Sequence, residues 1–361
     1  MEAAIIMAGA RRAYVRLVFD GVDISRDVEK DIISLRYIDN EEYEADDLQI
    51  VLQDRDDRWL KKWLDDALIA QLNTEAKKTK GLAIKAEIIC TDWSKPGDTL
   101  KLDCGEFALD EITADGPPAR ITIKASALPD RNGIKTTERS QSWENYKLSG
   151  IGGEIARRSG LGFIFDSRFD PMFDRKEQNE QTDISFLQKI CSDAGYSLKI
   201  SHGKVIIFDQ AKYDNLQSVA TITMGEGSYT RYNLRTGRRG ADYTKCIVKY
   251  FDPRSGRVIE GEHKSEEYDE EKDNNRLLLV TNQQVKTNAE ATRLAEKLLR
   301  LHNKFEKRAK ITLPGNPSLF ASEGIDLKGF GAFDGRYIIT KSVHSVGGSG
   351  YKTDIELRKT L

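Results

Sequence analysis

Four histidines, four cysteines and a few clustered aspartates are the side chains here whose types suit catalysis or metal binding. Such chemistry needs those groups to converge at set spacings. His202, His263, His302 and His344 show no HxxxH or HExxH spacing. His202 falls in a predicted hairpin turn, and His302 at the charged end of a predicted helix. His344 ends a predicted strand in Val343-His344-Ser345, with Asp354 and Glu356 near it in sequence. It is the one candidate for a metal ligand or general base, weighed against a hydrogen-bonded structural imidazole. Asp54, Asp56 and Asp57 form a carboxylate group, but it lacks the glycine and final glutamate of a calcium loop. A solvated turn is the expectation, with Asp56 or Asp57 capping the next helix.

Cys90, Cys104, Cys191 and Cys246 contain no CxxC pair and read as reduced core thiols of a chain made in a cytoplasm. Gly150-Ile151-Gly152-Gly153 opens a predicted helix, yet no Lys-Ser/Thr follows and no apolar strand precedes it. Gly347-Gly348-Ser349-Gly350 reads as a flexible hairpin loop. The acidic run Glu260–Asp273 reads as a solvated loop, with partner binding as its other use. No catalytic, cofactor-binding or metal-ligating residue is assigned, and no cofactor is expected.

The composition agrees with that emphasis on surface and packing. Of 361 residues 39% are hydrophobic and 32% charged, which describes a globular chain of two or three domains. Lys and Arg number 56 against 58 Asp and Glu, a net charge of −2. Basic Arg235–Arg239 is offset by acidic Asp269–Glu271. No global attraction to nucleic acid or to an anionic membrane is expected. Met1–Ala10 is too short for a signal peptide. No run approaches the roughly 18 apolar residues of a membrane span.

Residues 1–130 alternate as short strands around Val15–Phe19, Ile33–Tyr37, Leu48–Leu52, Ile84–Ile88 and Ile121–Ala125. One amphipathic helix interrupts them at Trp59–Leu68, and Gly116-Pro117-Pro118 turns the chain. Pro129–Glu138 reads as a polar linker. Residues 131–215 then read as α+β, with a 35-residue repeat. In it Ile155–Phe165 lies on Ile190–Ile200, each a helix end, a stop glycine (Gly160, Gly195) and a strand. A hairpin turns at His202-Gly203. Residues 216–361 return to strands at Lys310–Leu313, Tyr337–Ser345 and Tyr351–Leu357. Their one helix opens with a capping box, Thr287-Asn-Ala-Glu290, and ends in positive charge over Lys304–Lys310.

Three stretches together resemble the late control protein D family, the hub proteins of contractile phage tails. The first is Trp93, Gly105–Ile112, Gly116–Pro118 and Arg139–Asn145. The second is Gln181–Leu187 with Ala194–Tyr196. The third is Gly315–Leu319, Tyr337–Thr340, Val343–Ser345, Gly350–Thr353 and Glu356–Leu357. The coverage runs from Trp93 to the C-terminus, and the first ninety residues are similar mainly in pattern.

The resemblance implies an α+β, mostly β fold. Two tail-tube-like β-barrel domains, each with a helix, would flank a small α+β middle domain. It implies a structural baseplate hub subunit of a phage tail or tail-like injection particle. The partners implied are two further copies of the chain, a spike protein, a tail tube or tube-initiator protein and other baseplate proteins. Neither specific nucleic acid binding nor direct membrane insertion is expected. The location implied is the virion or particle baseplate, after assembly in the bacterial host cytoplasm. The family is similar to the N-terminal half of VgrG spikes, although this chain shows no repetitive β-helix. The alternative is a peptidoglycan-degrading tail enzyme, which would need paired carboxylates or a metal set. A pore lining that contacts DNA is disfavoured by the near-neutral charge.

Overall fold

The structure, a computed structural model, describes residues 10–361 apart from 56, 64–82, 129–132, 238–242, 267 and 272–275. The alternating stretches near the N-terminus form β1 (Arg12–Phe19), β2 (Val22–Asp23), β3 (Ile32–Asn40) and β4 (Asp47–Gln53). β5 (Ala83–Thr91), β6 (Thr99–Asp115) and β7 (Arg120–Ser126) follow, and a short α1 (Ser25–Val28) lies between β2 and β3. Their apolar positions share one face because side chains alternate along a strand. Leu17, Leu35, Ile50, Ile84, Ile88, Phe107 and Ile123 bury there in one cluster. The predicted Trp59–Leu68 helix is present as a single π-helical turn, Trp59–Trp63. Residues 64–68 lie outside the described residues. Trp59 packs in that cluster, its indole N–H donating to Asp31 at 2.9 Å.

The middle of the chain has its own core, built around the predicted repeat. It contains β8 (Glu138–Lys147), α2 (Leu148–Arg158), β9 (Gly162–Asp166), β10 (Met172–Thr182) and α3 (Asp183–Asp193). β11 (Ser197–Ser201), β12 (Lys204–Phe208) and a short α4 (Gln210–Asp214) complete it. Both repeat helices stop in the same way. Gly160 has φ +67° and Gly195 φ +72°, a conformation glycine adopts without steric penalty. The following N–H then reaches back to a helix carbonyl, Leu161 to Ala156 and Tyr196 to Cys191, each at 2.9 Å. The two repeat strands do not touch. β12 lies between them, parallel to β9 and antiparallel to β11.

The last region divides. β13 (Ala220–Thr223) and β14 (Arg231–Thr236) precede a small sheet of β15 (Lys245–Asp252), β16 (Arg257–Lys264) and β17 (Leu277–Val280). α5 (Asn288–Asn303) packs Ala291, Ala295, Leu298 and Leu299 onto Cys246 and Val248 of that small sheet. The amphipathic helix therefore does not cover the larger sheet, and its place differs from that of Trp59. β18 (Lys307–Pro314), β19 (Gly324–Lys328), β20 (Gly335–Gly347) and β21 (Gly350–Lys359) return to the larger sheet around Ile311, Tyr337, Ile339 and Ile355.

The first and last groups of strands then meet. β3 pairs antiparallel with β20 from Lys341↔Asn40 to Gly347↔Ser34. Among the described residues this makes one thirteen-stranded sheet, whose main path runs β14-β18-β21-β20-β3-β4-β7-β6-β5-β1-β2. Its end strands, β14 and β2, do not pair with each other, and no closed barrel forms among the described residues. The chain is mostly β with few helices. One sheet face is largely apolar; the other carries Arg16, Glu87, Glu111, Lys124, Arg36, Glu356 and Lys310 along that path.

Candidate functional site

His344 is fully buried, on the apolar face beside the β3–β20 seam. A carbonyl can only accept, so Nε2–H donates to the Leu319 carbonyl at 2.9 Å. Nδ1 is left to accept from the Tyr351 hydroxyl at 2.7 Å. Burial lowers the imidazole pKa to about 4, and the ring stacks on Tyr37. Alternation puts Asp354 and Glu356 on the opposite sheet face, where Thr312 and Lys310 bind them. His344 is thus a neutral packing residue of the seam.

The other candidates do not converge either. Asp54 caps the Trp59 turn in place of Asp57, accepting from Trp59 N–H and Leu60 N–H, each at 3.0 Å. Asp57 pairs with Lys61, and Asp56 lies outside the described residues. His202 sits in its predicted turn at φ +49° against Gly105, where a Cβ would meet the imidazole at 3.2 Å. His263 lies on β16 and His302 near the end of α5, its pKa lowered by burial. All four cysteines are buried free thiols; burial pushes Cys90 and Cys246 up to about 11.

The glycine runs serve packing. Gly152 lies inside α2, where an added Cβ would meet Phe163 at 2.7 Å and Ile207 at 2.8 Å. Gly347 and Gly350 pair at the end of the β20–β21 hairpin, leaving two residues in its turn. Thr287 caps α5 as predicted, but Glu290 accepts from Lys286 N–H instead of Thr287 N–H. Among the described residues no group of three or more His, Cys, Asp and Glu could hold a metal ion.

What does converge is a stretch that the sequence reading passed over, 39–46, the end of β3 and the loop that leads to β4. Asp39, Glu41 and Asp46 are buried, and Glu42 nearly so, each turned toward another part of the chain. Asp39 pairs with Lys199 of β11 and accepts from Ala321 N–H at 2.7 Å. Glu41 binds Arg358 of β21, and Arg358 also binds Asp214 at 2.8 Å. Asp214 reaches on to Arg300 of α5 at 2.7 Å. Glu42 binds Lys304, just past α5, and Ser197 of β11. Asp46 accepts from Asn40 N–H at 3.0 Å and from Ser201.

The charges balance. Asp39, Glu41, Glu42 and Asp214 face Lys199, Lys304, Arg300 and Arg358. Asp46 is the odd carboxyl. Burial pushes its pKa up to about 7, which Lys199 only partly offsets. Burial alone would lower the Arg358 pKa, but Glu41 and Asp214 outweigh it and hold it raised. Burial likewise pulls Lys304 down, with Glu42 opposing. Backbone bonds join the same loop to two neighbours, Glu41 N–H to the Thr340 carbonyl at 2.9 Å and Tyr43 N–H to the Leu198 carbonyl at 2.8 Å. Buried ion pairs add little net stability, yet removing one partner is costly because it leaves a buried charge unpaired. Its signal in the sequence was a dense run of acids between two strands, which looks the same as a solvated turn.

The chain is mostly β, built of separately cored parts that buried ion pairs join. Its fold is that of phage tail proteins. The 43 kDa tail protein of prophage MuSo2 from Shewanella oneidensis matches with a TM-score of 0.63 at 14% identity, covering 96% of this chain and 98% of that one. A tail protein from Neisseria meningitidis matches with a TM-score of 0.65 at 10% identity, covering 96% and 97%. An Escherichia coli type VI secretion component matches at 0.51 and 10% identity, covering 91% and 73%. In sequence, the chain is a homologue of two proteins named probable baseplate hub protein. The one from Escherichia phage 186 is 23% identical over 96% of this chain and 92% of its own length. The one from Escherichia phage P2 is 24% identical over 65% of this chain and 55% of its own length. No family model matches the chain.

Proposed function

We propose that this chain is a structural baseplate hub subunit of a contractile phage tail or tail-like injection particle. The observation that carries it is the near end-to-end homology with the phage 186 hub protein. The interlocked construction fits a part that transmits load: one sheet crosses the β3–β20 seam, and the 39–46 loop ties it to the rest. The two halves of that sheet serve as tube-like domains, within residues 1–130 and 216–361. Residues 131–215 form the α+β unit between them. Three copies would supply six such domains, which adapts a sixfold tube to a threefold spike. The partners are then the tube or its initiator, the spike and other baseplate proteins, within a particle assembled in the host cytoplasm. The role is non-enzymatic.

Cryo-electron microscopy of the tail tip tests the reading, with three copies in one ring as the expected result. Six copies, or absence from the tip, would overturn it. Peptidoglycan clearing by the purified chain, lost on mutating one carboxylate, would overturn the non-enzymatic role.

A further inference from the structure

Asp46 lies where the middle, separately cored part of the chain meets the main sheet. Its carbonyl accepts from the N–H of Ala127, just past β7, at 2.8 Å, and the preceding Ala45 bridges to Ile200 of β11. Its carboxyl is sealed from solvent. One oxygen accepts from Asn40 N–H at 3.0 Å, and the other meets the Ser201 hydroxyl at the end of β11. Ser201 Oγ in turn lies 2.8 Å from Nδ1 of His202, an exposed residue that lines a cleft of about 530 Å³. A buried carboxyl is thus joined to an exposed imidazole through one hydroxyl. The titratable and charged groups around Asp46 are Tyr37 and Asp39 of β3, Asp103 and Cys104 of β6, and Lys199 of β11. Glu41 also acts on Lys199 but is bound by Arg358. Lys101, Asp103 and Lys204 line the cleft beside His202. Asp39 holds Lys199 in an ion pair, which leaves Asp46 as the uncompensated acid of the group.

The single hydroxyl hydrogen of Ser201 couples the two ends. An ionised Asp46 can only accept, so Ser201 O–H points to it, and Ser201 Oγ must accept from Nδ1–H of His202. A protonated Asp46 donates to Oγ instead. The Ser201 hydrogen then turns to Nδ1, and the imidazole proton sits on Nε2. A proton that arrives at Nε2 is therefore passed on in two further shifts. The Nδ1 proton moves to Oγ, the Ser201 hydrogen moves to the Asp46 carboxylate, and the imidazole ends neutral. We propose that Asp46, Ser201 and His202 form a proton-operated latch, which tightens the contact between the middle part and the main sheet when one proton enters through His202. Loss of that proton loosens the contact. The sign follows from burial, because a neutral Asp46 suits the closed contact and an ionised one favours an opened contact where water reaches it. The folded pKa, which burial raises to about 7, places the change near neutrality. The latch is closed below that pH and is weakened as pH rises through it.

Two measurements on the full chain test this, and neither needs a tail particle, so the outcome is independent of the hub reading. With only four histidines, NMR of isotope-labelled histidine can follow the His202 ring. At about pH 9, where Asp46 is ionised, His202 is expected as the Nδ1–H tautomer. In Asp46→Asn the amide oxygen keeps the Asn40 N–H and the amide N–H donates to Ser201, as the neutral carboxyl does. His202 is then expected as the Nε2–H tautomer at the same pH. The same tautomer in both proteins overturns the relay. Hydrogen exchange reads the latch itself. After correction for the intrinsic rate, protection of residues 197–201 is expected to fall about tenfold per pH unit above about 7, relative to residues 84–90 of β5. In Asp46→Asn it is expected to stay level. Level protection in the parent, or an equal fall in the variant, overturns the latch. Circular dichroism checks that the variant is folded. Ser201→Ala, a second variant, severs the same chain and is expected to abolish the Nδ1–H preference; its retention there also overturns the relay.

Discussion

Arg358, three residues from the C-terminus, grips Glu41 through two hydrogen bonds of 2.9 and 3.2 Å, with both side chains sealed from solvent. The pair closes 317 residues of sequence separation at a point where the N-terminal strands, α4 and the last strand meet. Removing one side leaves a buried charge without its partner. Arg358→Met is expected to lower unfolding free energy by about 3–5 kcal/mol. Lys310→Met, which breaks the exposed Lys310–Glu356 pair, is expected to cost under about 1 kcal/mol. Urea unfolding of both variants checks this, and equal losses would contradict the ranking.

The seam histidine gives an acid limb to stability. His344 titrates near 4 when folded, below its ordinary value of 6.5, so the unfolded chain binds the extra proton first. Its contribution is intact above about 6.5 and is lost as pH falls to about 4, a change of about 3 kcal/mol. Asp46 has the opposite sign. Its folded value of about 7 lies above the ordinary 3.8, so its contribution grows as pH falls through that window. Only a difference measurement separates the two. With His344 gone, the gain that Asp46 gives on acidification is unopposed. His344→Gln is therefore expected to gain stability relative to the parent as pH falls from about 6.5 to about 4, and a pH-independent difference between the two would refute the assignment.

Truncation after Ser345 removes β21, which lies between β18 and β20. Two inner edges open together, and Arg358 and Tyr351 leave with the strand. Insoluble protein on expression is the expected result. A soluble truncated chain with native circular dichroism would show that the strand is dispensable.

Gly152 and Gly160 are glycines for different reasons. Gly152→Val puts a branched side chain where Phe163 and Ile207 already stand, and is expected to cost about 1–3 kcal/mol. Gly160→Ala meets no atom within 4 Å but must hold φ +67°, so a cost of about 1 kcal/mol is expected. Thermal unfolding of both variants checks the order.

Features set by neighbours in sequence were readable without coordinates. The alternating strands β1, β3, β4, β5 and β7, the stop glycines Gly160 and Gly195, the His202-Gly203 turn and the Thr287 cap all depend on residues a few positions apart. Local hydrogen bonding and side-chain alternation decide them. The partnership of β3 with β20, the burial of Asp39, Glu41 and Asp46, and the small sheet under α5 depended on the tertiary structure alone. A carboxylate run such as 39–46 has one appearance in sequence whether water or arginine surrounds it. Whether its charges are solvated or paired depends on cations 160 to 317 residues away, which only the folded chain brings within reach.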